Sequence, residues 1–296
     1  TLRKKVRKYK DPIVAQRLKR LPTIVNKLDR EPSMKLSRMH DIAGVRGVVK
    51  TMDDLNKLVG EYKRAKFLHE LKNTYDYIDN PKLDGYRSVH LVYKYCSTST
   101  RTKQYEGLQI ELQLRTRLQH DWATALETIS TFRNESFKTG GGNEYWKDFM
   151  ARISAVFSHV EGSTVHDNYK EMSLKQLIET IAFLDKRHRI VEQISGFRHA
   201  AKIMHEGKHY NYYNLITLDI KQHVIRIKSY SESEFEEAYE DYKSVERQHM
   251  GNPQFESVLV SAGKLKSLKK AYPNYFLDIG DFLDFITSMY SEAKKS

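Results

Sequence analysis

The sequence contains very little cysteine and no long hydrophobic run. Cys96 is the single cysteine among 296 residues, which excludes an intramolecular disulfide framework and a cysteine-built zinc finger. No segment approaches the ~20 apolar residues that a membrane-spanning helix requires, which argues against an integral membrane protein. The chain also opens without the pattern of a secretory signal peptide. We therefore expect a cytoplasmic protein that makes no contact with a membrane.

Positive charge is concentrated at one end of the chain. The formal net charge is +12, and residues 1–40 contain thirteen Lys or Arg against three acidic residues. Such a density is typical of a protein that binds a polyanion, either nucleotide phosphates or a nucleic-acid backbone. A solvated helix face explains a run of Lys and Arg equally well. Charge by itself leaves both interpretations open.

The hydrophobic pattern of the first half predicts a mixture of helices and strands. Residues 1–40 have helical character, interrupted by Pro12, Pro22 and Pro32. Beyond them, the spacing of apolar residues predicts a strand at Ala43–Lys50, a helix at Met52–Leu68, strands at Ser88–Tyr95 and Leu108–Arg115, and helices at Arg117–Phe132 and 145–160.

The strand at Leu108–Arg115 has the clearest alternation. One face carries the aliphatic residues Leu108, Ile110, Leu112 and Leu114, and the other carries Gln109, Glu111, Gln113 and Arg115. A sheet packed on helices would bury the aliphatic face. The polar row is then either ordinary solvated surface or part of a site, and the strand alone does not decide between them.

The second half of the chain has a different character. It predicts one or two helices at Ser173–Gly207, strands at Tyr212–Ile220 and His223–Ser229, an acidic helix at Glu234–Gln248, a strand at Ser257–Ser261 and mostly helix at 263–293. We therefore expect a first domain at 1–165, a helical connector at 166–206 and a small α+β domain with C-terminal helices at 207–296.

Three segments of the first half carry a family resemblance. They are RMHDIAGVR at residues 38–46, DYIDNPKLDGYRSVH at 76–90 and ELQLRT at 111–116. In this order and at these spacings they resemble the synthetase domain of the RelA/SpoT alarmone-synthetase family, over residues 10–160. The resemblance implies an α+β fold in which a mixed, nucleotidyltransferase-like β-sheet is flanked by helices.

The resemblance also implies a reaction, the transfer of a pyrophosphoryl group from ATP to a ribose 3′-hydroxyl. Such transfer depends on positioning and on charge neutralisation by Mg²⁺. Asp41 and Glu111 would supply carboxylate ligands of the kind that Mg²⁺ prefers, and Glu111 is also the candidate base for the attacking hydroxyl. Without the motif, each carboxylate would be better explained as a loop or surface residue.

Cations are assigned to ATP by the same resemblance. Arg17 and Arg46 would stack on the two faces of adenine, as planar guanidinium groups do. The phosphates would be neutralised by Lys19, Lys27, Arg30 and Arg115.

The acceptor would be bound around Tyr86, which in this family stacks on the acceptor base. Gly85 precedes it and permits a tight loop, while Asp84 stands where the family usually has Asn, a charge that disfavours an extra acceptor phosphate. Neighbours expected near the acceptor sugar or phosphate are Lys82, His90 and Gln113. A lone Tyr or His in a strand is more often plain packing.

The closing segment, AYPNYFLD at 271–278, suggests a second resemblance. A Tyr-x-x-Tyr pair in an α+β module fused to this synthetase resembles CapRel-type fused toxin–antitoxin proteins, whose second domain is a pseudo-zinc-finger. By that resemblance Tyr272 and Tyr275 would be autoinhibitory, covering the ATP site. The alternative is that both tyrosines pack locally.

Three functions remain open at this point, and the fused architecture and the basic residues 1–40 favour the first of them. The first is modification of the 3′-CCA end of tRNA by an autoinhibited anti-phage toxin, with a phage protein such as capsid as the trigger. The second is synthesis of alarmone from GDP or GTP. The third is an inactive RNA-binding or phage-sensing module. The sequence names neither the acceptor nor the trigger nor the oligomeric state.

Overall fold

The computed structural model of the chain describes residues 2–18, 24–25, 28–29, 31, 33–36, 39–132, 143–206, 212–219, 222, 224–249, 252, 255–261 and 275–293. The chain divides into two compact units. The first consists of Thr1–Lys82, Tyr86–His120 and Val160–Thr164, and the second of Leu83–Gly85, Asp121–His159 and Val165–Ser296. The domain boundaries expected at residues 165 and 206 stay predictions.

A five-stranded mixed sheet organises the first unit. Its strands in chain order are β1 (Ile13–Leu18), β2 (Ala43–Val49), β3 (Glu70–Asp76), β4 (Val89–Lys94) and β5 (Gln109–Thr116). In the sheet they follow the order β1-β2-β5-β4-β3. β2 and β5 are parallel, and the other neighbouring pairs are antiparallel. β5 is therefore the central strand, with a hydrogen-bonded neighbour on each side.

The described part of this unit also contains the helices α1 (Leu2–Val6) and α2 (Met52–Arg64), and α3 (Arg117–Phe132) begins directly after β5. α2 contributes Leu55 and Leu58 to a buried cluster that also contains Leu91 of β4 and Leu114 of β5. Each such side chain contributes ~1.5–3 kcal/mol when fully buried. Packing of this apolar face therefore holds α2 against the sheet.

Residues 1–40 differ from the predicted helical character, because Ile13–Leu18 forms β1. The helical prediction is wrong for this segment. The segment follows Pro12 and begins with the β-branched residues Ile13 and Val14, which favour strand over helix. Its backbone pairs with β2 along the whole length, from Ile13 opposite Val48 to Leu18 opposite Ala43.

A second difference is β3, which the hydrophobic pattern did not predict. Five of its seven residues, ELKNT, are exposed. Because β3 is an edge strand that pairs with β4 alone, it needs few apolar side chains, and alternation has little to detect.

The other predicted elements of the first half are confirmed with small shifts at their ends. The helix predicted to Leu68 ends at Arg64, where Ala65 turns to extended backbone. The strand predicted from Leu108 begins at Gln109, and Leu108 is exposed rather than buried. The helix Arg117–Phe132 has the predicted bounds.

The second unit contains the remainder of α3, most of α4 (Glu144–Glu161), and α5 (Leu174–His188), α6 (Ile190–Glu206), α7 (Phe235–Gln248) and α8 (Tyr275–Ala293). The helical stretch predicted at Ser173–Gly207 is thus two helices. They meet at Arg189, whose φ of 54° ends α5 in the left-handed region.

A three-stranded antiparallel sheet lies within this unit. It follows the order β7-β6-β8 and consists of β6 (Tyr213–Asp219), β7 (Val224–Tyr230) and β8 (Phe255–Ser261). Ala238 of α7 packs on Leu215, whereas Gly196 of α6 lies against Leu218. Leu215 and Leu218 point to opposite faces of β6, so a helix covers each side of the small sheet.

These elements fit the expected α+β class. The zinc-finger-like shape expected for the second domain stays a prediction. No helix in the described ranges is both long enough and apolar enough to cross a membrane.

Candidate active site

The polar face of β5 is buried. Glu111, Gln113 and Arg115 are 5%, 7% and 1% exposed, so the row is not solvated surface. The register of the central strand places Arg46 of β2 and His90 of β4 on either side of Gln113. Burying charged groups is costly unless they are paired. The partners of Glu111, Gln113 and Arg115 therefore indicate which chemistry this row supports.

Gln113 links two guanidinium groups. Its side-chain oxygen accepts hydrogen bonds from Arg46 Nε and Nη2, both at 3.4 Å, and from Arg115 Nη2 at 3.1 Å. Arg46 and Arg115, both predicted to bind ATP, are therefore held by one amide. This arrangement keeps two positive charges together in a region where a phosphate could neutralise them.

Glu111 belongs to a chain of hydrogen bonds that reaches Tyr86. His90 Nδ1 pairs with Glu111 Oε1, and His90 Nε2 lies 2.8 Å from the Tyr86 hydroxyl. Arg115 Nη2 donates to the same hydroxyl at 3.3 Å. Two predicted acceptor-binding residues are thus connected to the predicted base.

The charges of this chain follow from its contacts. Burial would raise the pKa of Glu111, but the hydrogen bond and charge of His90, with a contribution from His40, lower it below its ordinary value. Burial would lower the pKa of His90, but Tyr86 and Glu111 raise it. Burial would likewise raise the pKa of Tyr86, and Arg115 and His90 lower it. Glu111 is therefore a carboxylate at neutral pH, able to accept a proton.

Asp41 lies just before β2. Its negative charge acts on Glu111 in the direction of a higher pKa, and the larger effect of His90 outweighs it. Two carboxylates suit Mg²⁺, which typically takes one or two protein carboxylates together with substrate phosphates and water. Across the described ranges no group of three or more His, Cys, Asp or Glu could hold a metal ion by itself. Two carboxylates are a donor set that fits a magnesium ion whose remaining ligands are substrate phosphates and water.

Tyr77 is a site residue that sequence reasoning missed. Its ring centroid lies 6.0 Å from that of Tyr86 and 5.1 Å from that of His90. Lys82 Nζ lies 4.3 Å from the Tyr77 centroid and 5.3 Å from the Tyr86 centroid. The predicted acceptor lysine is thus held over aromatic rings. The sequence does contain a Tyr-x-Tyr repeat at Tyr75 and Tyr77. Because β3 was not predicted, the repeat could not be placed at the end of a strand beside the site.

Gly85 confirms the expectation of a tight loop before Tyr86. Its φ is +88°, and a Cβ atom here would lie 2.9 Å from Ser154 Cβ and 3.0 Å from the Trp122 ring. The Ser154 hydroxyl donates to the Gly85 carbonyl oxygen at 2.6 Å. Both the backbone conformation and the available space require glycine.

Several predicted residues lie wholly or partly outside the described part of the chain. Arg17 is in β1 with its backbone opposite Gly44, and its side chain is not described. Tyr275 opens α8, and its side chain is likewise not described. Outside the described residues altogether are Lys19, Lys27, Arg30 and Tyr272.

Known proteins resemble the part of the chain that contains this site. Residues 16–136 match the family model described as "Region found in RelA / SpoT proteins". Every residue of the row on β5, together with Asp41, Arg46, Tyr86 and His90, lies inside this RelA/SpoT region. The resemblance to the RelA/SpoT synthetase domain is therefore confirmed for these residues.

Two curated relatives of the RelA/SpoT region come from Bacillus subtilis (strain 168). GTP pyrophosphokinase YwaC is 36% identical over 114 residues, which are 36% of this chain and 52% of that protein. GTP pyrophosphokinase YjbM is 33% identical over 119 residues, which are 40% of this chain and 55% of that protein. The chain thus spans about half the length of these relatives.

Among solved structures, the crystal structure of small alarmone synthetase 1 from Bacillus subtilis bound to its product pppGpp has a TM-score of 0.44 and 28% identity. The match covers 51% of this chain and 74% of that chain.

Proposed function

We propose that this protein is an ATP-dependent pyrophosphokinase that transfers a pyrophosphoryl group to a ribose 3′-hydroxyl. The observation that carries the proposal is the buried Glu111 carboxylate, which pairs with His90 and interacts electrostatically with Asp41. These residues lie inside the region matched to RelA/SpoT proteins. The names of the relatives, GTP pyrophosphokinases, support the same reaction class.

In this proposal Glu111 accepts the proton of the attacking 3′-hydroxyl. The hydroxyl oxygen forms a bond to the β-phosphorus of ATP, the bond between that phosphorus and the α,β-bridging oxygen breaks, and AMP leaves. His90 orients the Glu111 carboxylate and keeps it ionised. At neutral pH the Glu111 carboxylate is deprotonated and can therefore accept this proton.

Charge on the transferred group would be neutralised by Arg115, and Arg46 would stack on adenine. Gln113 holds the two guanidinium groups together. Asp41 and Glu111 would hold Mg²⁺, and that ion would add positive charge beside the phosphates. Such fixed charges need no reorganisation as the transition state forms, which is the main way proteins accelerate phosphoryl-type transfer.

For the acceptor we propose GDP or GTP, because the relatives act as GTP pyrophosphokinases by name. Tyr86 would stack on the base, while Lys82 and His90 would face the phosphate or sugar. The second candidate acceptor is the 3′-CCA end of tRNA. The thirteen Lys or Arg in residues 1–40 favour it, because such density suits an RNA backbone.

The acceptor experiment uses ATP labelled on its γ-phosphate with Mg²⁺ and, separately, GDP, GTP or bulk tRNA. Label transferred to a guanine nucleotide supports the first acceptor, and label on tRNA supports the second. Glu111→Gln serves as the matched inactive control. Absence of transfer to all three acceptors would leave an inactive binding module as the function.

We also propose that residues 207–296 regulate the synthetase in a cytoplasmic toxin–antitoxin arrangement. The support is the CapRel-type resemblance of Tyr272 and Tyr275, with a phage protein such as capsid as the expected trigger. Growth of cells producing the Tyr272→Ala/Tyr275→Ala variant tests this. We expect toxicity without a trigger, and harmless growth together with unchanged ATP affinity would contradict autoinhibition.

A further inference from the structure

A buried ion pair lies outside the polar row of β5. The side chains of Arg87 and Glu161 are 2% and 7% exposed, and Arg87 Nη1 lies 3.4 Å from Glu161 Oε2. Arg87 Nη2 also donates to the Ser163 hydroxyl. Glu161 is the last residue of α4 and lies outside the matched RelA/SpoT region. No motif or comparison gives the pair a role.

Glu161 also fixes the junction between β5 and α3. The Thr116 hydroxyl donates to Glu161 Oε1, and Gln119 Nε2 donates to Glu161 Oε2 at 3.0 Å. Gln119 Oε1 in turn accepts from the Thr116 backbone N–H at 3.1 Å. One carboxylate therefore binds the end of the catalytic strand and the start of the next helix.

These contacts form a closed circuit with the candidate site. Arg87 follows Tyr86 in the chain, and Thr116 follows Arg115. Glu161 bridges Arg87 to Thr116 on one side, while Arg115 Nη2 donates to the Tyr86 hydroxyl at 3.3 Å on the other. Tyr86 and Arg115 are thus connected in two ways, directly by their hydrogen bond and indirectly through Glu161.

We propose that Glu161 is a positioning residue that keeps Tyr86 and Arg115 in the geometry needed for transfer. The proposal rests on the proposed pyrophosphokinase function. Glu161 touches neither substrate nor the reacting atoms, and it acts through Arg87 and Thr116.

Burial makes the charges of Arg87 and Glu161 costly to the fold. Burial raises the pKa of Glu161 despite the hydrogen bonds of Thr116 and Gln119 and the charge of Arg87, and burial also lowers the pKa of Arg87. The folded protein therefore binds the Glu161 proton more tightly than the unfolded chain does. Ionisation of Glu161 lowers stability as the pH rises above the ordinary value of 4.5. Apolar residues of similar volume in place of such a pair are often neutral or stabilising.

The test replaces the pair by Arg87→Met with Glu161→Met. The matched control is Lys147→Met with Glu144→Met, which removes an exposed ion pair at the other end of the same helix. We expect the first variant to keep its urea midpoint near that of the control while its kcat/KM for the acceptor falls about tenfold to hundredfold, the range that misplacement by ~1 Å produces. The activity of the control should stay near the parent value. A folded variant with parental acceptor kinetics would overturn the proposal.

Glu161→Gln provides a second variant that changes charge with little change of shape. We expect it to lower acceptor kcat/KM in the same direction. If neither variant folds, the pair belongs to stability and the positioning role is wrong.

A readout that does not depend on turnover separates this proposal from the proposed function. The ring ¹³C resonance of Tyr86, assigned with Tyr86→Phe, should shift in both variants because Arg115 no longer lies at the hydroxyl. If the parent protein transfers label to no acceptor, the proposed function fails, and this resonance still decides the positioning role. An unchanged resonance in a folded variant contradicts it.

Discussion

Replacing Gly85 with Ala should destabilise the fold by a calculable amount. The new Cβ atom would lie 2.9 Å from Ser154 Cβ, 3.0 Å from the Trp122 ring and 3.1 Å from the Ala151 Cα. These atoms belong to backbone or to short and rigid buried side chains, so none can swing away. The φ of +88° adds a conformational cost for any residue with a Cβ atom.

The magnitude is the sum of two contributions. A left-handed backbone conformation costs a non-glycine residue ~1–2 kcal/mol, and an inserted methyl group in a close-packed site costs ~1–3 kcal/mol. Gly85→Ala should therefore lower the free energy of unfolding by about 2–5 kcal/mol. Gly162 offers a matched control, because its φ is +60° and a Cβ atom added there would meet no other atom within 4 Å. Gly162→Ala should lose only the conformational contribution.

Urea unfolding followed by far-ultraviolet circular dichroism checks this expectation for the parent and both variants. Gly85→Ala should unfold at clearly lower urea than Gly162→Ala. Because Gly85 precedes Tyr86, acceptor KM should also rise in the first variant. Equal losses of stability in the two variants would refute the argument from crowding.

Three further expectations follow from the described contacts. Glu111→Gln should abolish transfer without loss of fold, and chelation of Mg²⁺ should abolish transfer by the parent. Turnover of the variant near the parent rate would contradict the assignment of Glu111 as the base. Tyr77→Leu should raise acceptor KM about three- to tenfold, the range of a partly exposed cation–π contact, whereas Tyr77→Phe keeps the ring under Lys82 and should stay near parental; equal kinetics of the two variants would speak against the contact. Asp241 accepts hydrogen bonds from Lys228 and Tyr230, which lower its pKa below the ordinary value of 3.8. Its stabilising contribution should be present above that pH and be lost as the pH falls through the lowered value. Asp241→Asn should therefore flatten this acid limb in circular dichroism, and an unchanged limb would contradict the expectation.

Much of the site was predictable because its residues lie close together in short patterned segments. Alternation along β5 is sufficient to place Glu111, Gln113 and Arg115 on one face of the strand. Local patterns cannot show which strands become neighbours, since pairing depends on contacts between residues far apart in the chain. The bonds of Gln113 to Arg46 and of Glu111 to His90 depend on β2 and β4 flanking β5.

Other features left no usable signal in the sequence. β3 is an exposed edge strand, so neither it nor the placement of Tyr77 beside it could be predicted from apolar spacing. Glu161 lies 45 residues beyond Thr116 and 74 beyond Arg87. It ends a helix that was predicted from the spacing of its apolar residues. A single polar residue there has the same appearance in sequence as any solvated helix end.

The position of β5 at the centre of its sheet has a consequence for handling the protein. A one-residue insertion or deletion within Gln109–Thr116 would turn its side chains to the opposite face, moving the carboxylate, the amide and the guanidinium together and breaking the pairing on both edges. The segment at 97–106, between β4 and β5, is mostly exposed and lies outside the paired residues of β5. A fluorophore or affinity tag placed there would leave the alignment of β5 with its neighbours intact.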